Sequence, residues 1–383
     1  MATGKKSTTA IDSGNLLSSR LTGLCLAEKK PTGPSELLHM LGAMQAQHLE
    51  MSFWAVGLRL NEVSVADIES SIAKGRIVRT HVLRPTWHWV AAEDMLWMLS
   101  LTAPSIKNAL FSRDKALGIE EKEYVVSDKM IVRILEDQPC LSKKALSDEL
   151  TARGLPMDEY RSNHYIMHAE LEGIICSGPI LKGKHSYALA ENMLGVRLEK
   201  AQKLKKQFVG PTAVRELARR YFSTRGPATI EDFRWWSGLG ITVIKETIKS
   251  LTPDLQSYKE GSETLYFYPS DKRQTAATNQ LQFLPAFDEY LISFKDRKRM
   301  LEQKYNQLVI TSNGIFRPCV LDKGKVVATW QVEKGRKGLK ISVQPFENLN
   351  ATRLKVLQAA TEEMAIFYGR FRESAIESIK FAL

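Results

Sequence analysis

Two glutamines, Gln45 and Gln47, bracket a small residue in the run Met44-Gln45-Ala46-Gln47-His48. A carboxamide donates and accepts hydrogen bonds but is no strong general base. The pair can orient a water and hydrogen-bond a developing charge. Equally, two amides at a helix end can simply bond the last carbonyls of that helix. A second cluster, Arg84-Pro85-Thr86-Trp87-His88-Trp89, sets two tryptophans and a histidine in or beside a strand. These serve either as core aromatics, with Trp97, or as a stacking or wedge surface against a nucleic acid. A third places Asp288 and Glu289 before the basic run Lys295-Asp296-Arg297-Lys298-Arg299. They are either ion-pair partners of that run or carboxylates for chemistry.

Other chemistries lack their residues. Cys25, Cys140, Cys176 and Cys319 contain no CxxC pair, and four cysteines in 383 residues make no disulfide scaffold. His164 and His168 have metal-ligand spacing, but Tyr165, Ile166 and Met167 between them leave no HExxH motif. No GxxxxGK[ST], GxGxxG or GxSxG supports nucleotide, dinucleotide or acyl-transfer chemistry. No metal, nucleotide or redox cofactor is expected.

The charge is uneven. Lys and Arg number 54 against 43 Asp and Glu, a formal charge of +11. Glu191–Arg225 carries nine basic residues against three acidic, and Lys295–Lys340 twelve against four. The rest of the chain is slightly acidic. Such localisation suits a phosphate-binding footprint, with nucleic acid ahead of membrane, although basic faces also serve solubility. No apolar run approaches the roughly 18 residues of a membrane span. The polar N-terminus lacks the apolar stretch of a secretory signal. A cytoplasmic setting is expected.

The elements that position these residues follow from periodicity and punctuation. Residues 1–13 read as a disordered tail. Helices are predicted over Asn15–Ala27, from Ser35 to about Gln45–His48, and over Val65–Ala73 capped by Ser64. Strands follow over Ile77–Arg84 and Thr86–Val90. Three helices and a hairpin are the order of a winged helix. The pattern returns with helices Asp128–Glu136 (cap Ser127), Lys143–Arg153 (cap Ser142) and a third from Asp158 to Glu172. Strands Ile174–Ser177 and Ser186–Ala190 complete it. It returns again with a helix from Pro211, a short one capped by Thr229, Ile241–Leu251, and strands Leu255–Lys259 and Thr264–Tyr268. Beyond Ser270 an α+β part begins, with strands Ile315–Leu321 and Lys325–Trp330 around the turn Asp322-Lys323-Gly324. A strand over Lys340–Val343 and a helix Arg353–Arg370 capped by Asn350 end it. The units are winged helix 1 (14–110), winged helix 2 (125–192), winged helix 3 (210–270) and the basic C-terminal part (280–383). The fold class is α+β, mainly helical.

Six segments occur in one order: LGAMQAQH (Leu41–His48), TWHWVAAEDML (Thr86–Leu96), Thr102–Pro104, FRWWSGL (Phe233–Leu239), PAFDEY (Pro285–Tyr290) and NGIFRP (Asn313–Pro318). Together they resemble the winged-helix family of bacterial alkylpurine DNA glycosylases, the AlkZ-like proteins, over about residues 14–370. The resemblance implies three tandem winged helices and a β-rich part in a C-shaped DNA-binding scaffold. It implies hydrolysis of the N-glycosidic bond of N7-alkylated purines, in some members with unhooking of interstrand crosslinks. Gln45-Ala46-Gln47 resembles the family's Gln–aliphatic–Gln motif, which implies that Gln45 and Gln47 are the catalytic residues. The lesion pocket is then expected to draw on His48, Arg84, Trp87, His88 and Asp288. Phosphate contacts are expected from Lys203, Lys205, Lys206, Arg219, Arg220, Lys295, Arg297, Lys298, Arg317, Lys323 and Lys325. The partner is double-stranded DNA bearing alkylated purines, and the protein is expected to act as a monomer. A competing expectation is a winged-helix regulator or nucleoid protein without chemistry. It would read bases with Arg161, Asn163 and His164.

Overall fold

The computed structural model describes residues 13–27, 31–155, 158–269 and 281–381. The expected disordered tail, apart from Ser13, lies outside them. Helix α1 (Ser13–Gly23) leads into a series whose element order recurs in three stretches. The first runs α2 (Pro34–Leu41), β1 (Met44–Gln45), α3 (Leu49–Gly57), α4 (Val65–Ala73), then the hairpin β2 (Ile77–His81) and β3 (Trp87–Ala91), with sheet order β1-β3-β2. A long helix, α5 (Met95–Ala116), follows. The second runs α6 (Glu121–Asp137), β4 (Leu141–Ser142), α7 (Lys143–Ala152), α8 (Glu159–Leu171), β5 (Ile175–Ser177) and β6 (Ser186–Leu189), with sheet order β4-β6-β5. Helices α9 (Ala190–Leu194) and α10 (Leu198–Gln207) lead to the third. It runs α11 (Pro211–Arg225), α12 (Ile230–Ser237), α13 (Ile241–Ser250), β7 (Gln256–Glu260) and β8 (Glu263–Phe267). A single bridge from Ala228 to Tyr266 stands where the first two have a short strand.

The C-terminal part holds β9 (Gln282–Leu284), α14 (Glu289–Ile292), α15 (Asn306–Val309), β10 (Cys319–Asp322), β11 (Lys325–Lys334), β12 (Leu339–Pro345), α16 (Ala351–Phe371) and β13 (Ile376–Phe381). Its sheet order is β13-β12-β11-β10-β9, antiparallel except for β12 with β13. The chain is thus a mixture of helices and small sheets. No helix among the described residues is long and apolar enough to cross a membrane.

One apolar core runs through the first stretch, the third and the C-terminal part, while the second has a core of its own around Ile131, Ile134, Leu146, Leu150 and Tyr165. Long-range bonds lock the shared core. The Trp54 indole donates to Phe283 O at 2.8 Å, and the Tyr221 hydroxyl to Ser293 O at 2.9 Å.

Local signals set several boundaries. Ser64 and Thr229 begin their helices in capping boxes, and Ser142, Asp158 and Asn350 accept from the first turns of theirs. Two expectations are corrected. Helix α6 starts at Glu121, and Ser127 lies buried inside it rather than capping it. More consequentially, α2 ends at Leu41, so Gln45 and Gln47 do not lie on a helix. Gly42 adopts φ 81°, and a Cβ there would meet the Trp236 ring at 3.5 Å. The helical stripe Leu37, Leu38, Leu41 extends to Met44 only by coincidence of spacing. Met44 is buried as a strand residue opposite Trp89. Helix α3, absent from the sequence reading, is buried from Met51 to Gly57 and so carries no amphipathic period.

Candidate active site

The edge strand β1 presents the two glutamines. Gln45 stands directly opposite His88 in β3, so the two side chains share one face of the sheet. Ala46 N–H donates to Trp87 O at 2.7 Å and extends the pairing by one step. Ala46 is fully buried, Gln45 is 5% exposed, and Gln47 is exposed.

Gln45 is held from two sides. Its Oε1 accepts from Arg84 Nη2 at 2.9 Å, and its peptide N–H donates to Glu289 Oε1 at 2.8 Å. With the amide oxygen engaged, the NH2 group of Gln45 is left to donate. Gln47 Oε1 accepts from Trp87 N at 3.4 Å. His48 caps α3, its Nδ1 accepting from Met51 N at 3.3 Å.

Glu289 is the anchor. It is buried and accepts from Arg225 Nη2 at 2.7 Å, Ser293 Oγ at 2.6 Å and Trp236 Nε1 at 3.0 Å. Burial pushes its carboxyl up, but the Arg225 charge and these hydrogen bonds prevail and hold it at about 2. Burial, then the Arg84 charge, pushes the His88 imidazole down to about 3. His88 Nδ1 donates to Thr86 O at 2.8 Å, which leaves Nε2 as a buried lone pair without a partner among the described residues. Burial also lowers Arg84, with Glu289 opposing.

Asp288, expected in the lesion pocket, is engaged elsewhere. Its two oxygens accept from Arg59 Nη2 and Nη1 at 2.8 and 2.9 Å, and it caps α14. The neighbouring acid, Glu289, therefore supports Gln45, not the one expected from the sequence. The aromatic cluster also splits. Trp89 and Trp97 are core residues bonded to Ser52 and Asp94. Trp87 remains partly exposed beside Gln47, its ring 4.4 Å from the Arg79 guanidinium and 4.6 Å from His81.

Of the expected phosphate contacts, Lys203, Lys205 and Lys206 are exposed on α10. Lys295 and Lys298 are exposed, pairing with Glu231 and Asp296. Arg219 forms a surface pair with Glu216. Arg317, Lys323 and Lys325 are exposed, while Gly324 between the last two is buried and accepts from the Tyr290 hydroxyl at 2.8 Å. Arg220 is the exception. It is buried and bonds both Asp94 oxygens at 2.7 and 3.0 Å, so it has no free guanidinium edge for DNA. Arg297 lies beside Trp235. Arg225, Trp235 and Trp236 had no expected role; for the two tryptophans the one signal was the FRWWSGL segment itself. His164 and His168 bond Asp114 and Asp128, and no cluster of three metal-ligating side chains occurs among the described residues.

A family model described as DNA glycosylase AlkZ-like matches residues 38–367. The solved structure of the Streptomyces sahachiroi DNA glycosylase AlkZ is similar, with TM-score 0.75 and 20% sequence identity. The match covers 96% of this chain and 99% of that one. At that identity the likeness speaks for the fold. No curated protein sequence matches.

Proposed function

This chain belongs to the AlkZ-like DNA glycosylase family, and we propose that it removes N7-alkylated, cationic purines from double-stranded DNA, with Gln45 and Gln47 positioning the water. One observation carries the substrate class. The two buried ionisable groups set against Gln45 are held in forms that exchange no proton at neutral pH. Glu289 is held at about 2 by Arg225 and its hydrogen bonds, and His88 at about 3. Asp288 is engaged by Arg59. Neither Glu289 nor His88 is then an acid that could protonate a leaving base. A purine alkylated at N7 needs none, because it already carries the positive charge and departs neutral. The C1′–N9 bond breaks, and its electrons pass to the base. The oxocarbenium sugar then takes the oxygen of the positioned water, whose proton goes to solvent. The amides supply orientation and dipoles rather than proton transfer.

The recurring order of helix, short strand, two helices and hairpin supports reading the three stretches as tandem winged helices, expected to curve into a C around the duplex. A regulator without chemistry is the weaker reading. Arg161, Asn163 and His164, which would have to read bases, are bonded to Glu123, Lys143 and Asp114.

The experiment is base release from a duplex with one 7-methylguanine, run with the native protein, Gln45→Ala and Gln47→Ala. Release by the native protein, lost in either variant while duplex binding persists, is the expected result. A duplex carrying an N7–N7 crosslink is run beside it, to read how large an adduct is accepted. Tight binding with no release of any N7 adduct would refute the proposal. So would release of uracil or hypoxanthine at similar rates.

A further inference from the structure

We propose that Arg84 and Arg297, set about the Trp235 ring, form a two-guanidinium site for one phosphodiester of the DNA strand, and that filling it steadies Gln45. The link to Gln45 rests on the glycosylase reading; the phosphate site does not.

The two guanidinium carbons lie 5.8 and 5.3 Å from the centre of the Trp235 ring. The ring is 40% exposed, yet its N–H donates to Ile292 O at 2.9 Å and fixes its orientation. Arg297 Nε donates to Leu291 O at 2.8 Å, and its guanidinium also lies 4.9 Å from the Phe316 ring. Neither arginine has a carboxylate of its own among the described residues. The nearby acids are already engaged: Glu289 by Arg225, Asp232 by the N–H groups of Thr229 and Lys295, and Asp296 by Lys298. Each arginine retains a buried N–H group without a partner among the described residues, Arg84 at Nε and Arg297 at Nη2.

Two unpaired guanidiniums in one desolvated neighbourhood are costly. Burial lowers both, and the charge of Arg84 adds to the lowering of Arg297. Arg297 Nη1 donates to Lys295 O at 3.2 Å, so an anion with one oxygen for the remaining N–H of each arginine relieves that cost, and a phosphodiester has the charge and two such oxygens. Its source follows from position. Arg84 already bonds the Gln45 amide, so a phosphate on its free edge belongs at or next to the nucleotide facing Gln45. The same phosphate removes a difficulty. In the free protein a positive guanidinium stands 2.9 Å from the amide that would meet a cationic sugar. Pairing it with a phosphate cancels that repulsion and holds Arg84, and through it Gln45, in place. Arg84 is thus a positioning residue.

The test reads binding alone. A duplex with a tetrahydrofuran abasic analogue, which has no base to release, is made with single neutral methylphosphonates stepped around the analogue. One position next to the analogue is expected to lower the affinity of the native protein about tenfold. Arg297→Gln should lose a similar factor on the unmodified duplex, flatten the salt slope by about one, and be indifferent to methylphosphonate at that position. Arg84→Gln should behave alike, and the double variant should bind no worse than either single one. Losses that add, or an Arg297→Gln protein as sensitive as the native one at every position, would overturn the site. Absence of a sensitive position near the analogue would overturn it on the native protein alone, whether or not the variants fold. Base release from 7-methylguanine is measured in parallel. Its absence would count against the glycosylase reading, and the phosphonate scan would still decide the phosphate site.

Discussion

Replacing Glu289 by Gln should weaken the fold and the site together, and its size follows from the environment. The carboxylate is 1% exposed and has four donors: Arg225, Ser293, Trp236 and the Gln45 peptide. Its pKa is lowered from 4.5 to about 2. At about 1.4 kcal/mol per pH unit, that gap corresponds to about 3 kcal/mol of folding stability at neutral pH. Breaking a buried ion pair from one side costs a similar ~3–5 kcal/mol, because the Arg225 charge stays behind. The folded pKa lies below the unfolded one. The stabilisation is therefore fully present above about pH 4.5 and fades as pH falls towards 2. Urea unfolding followed by tryptophan fluorescence, at pH 7 and again at pH 3, compares the native protein with Glu289→Gln. The variant should be less stable by about 3 kcal/mol at pH 7, with a smaller difference at pH 3. Base release should also fall, because the Gln45 peptide loses its anchor. A difference under about 1 kcal/mol, the size of a surface pair, or one that does not shrink with acid, would refute the assignment of Glu289 as a charged, paired anchor.

Two further outcomes follow from the same geometry. The base-release rate at saturating protein should be flat between about pH 5 and 9, since Glu289 stays charged above about 2 and His88 neutral above about 3; a bell-shaped profile would mean that a proton-transferring group had been missed. Asp94→Asn should destabilise the protein by ~1–3 kcal/mol in urea unfolding, by leaving the buried Arg220 with Glu216 as its one remaining carboxylate, while the salt dependence of DNA binding stays unchanged; a flatter slope would mean that Arg220 reaches phosphate after all.

Legibility followed the range of the interactions. Ser64, Ser142, Asp158 and Thr229 bond amides two or three residues on, so their helix starts could be read directly. The helices and hairpins that carry their own cap, turn or period were legible for the same reason; helix α3, buried along its length, carries no such period and was missed. The short strands β1 and β4 were not, at two residues each, because a strand of that length has no period and exists only through its partner.

The site divides the same way. The residue types of Gln45 and Gln47, and what amides can and cannot do, belong to the sequence alone, as does the motif that singled them out. Their conformation did not. The spacing of Leu37, Leu38, Leu41 and Met44 suits a helix, but the chain turns at Gly42 with φ 81° and Met44 pairs with Trp89 across a sheet, a partner that the spacing does not show. The choice between the adjacent acids was likewise tertiary. Asp288 and Glu289 are equivalent in sequence, but Arg59 takes one and Arg225 the other, 229 and 64 residues away. Which of two like charges faces a site depends on where distant arginines come to rest, and no local pattern encodes that.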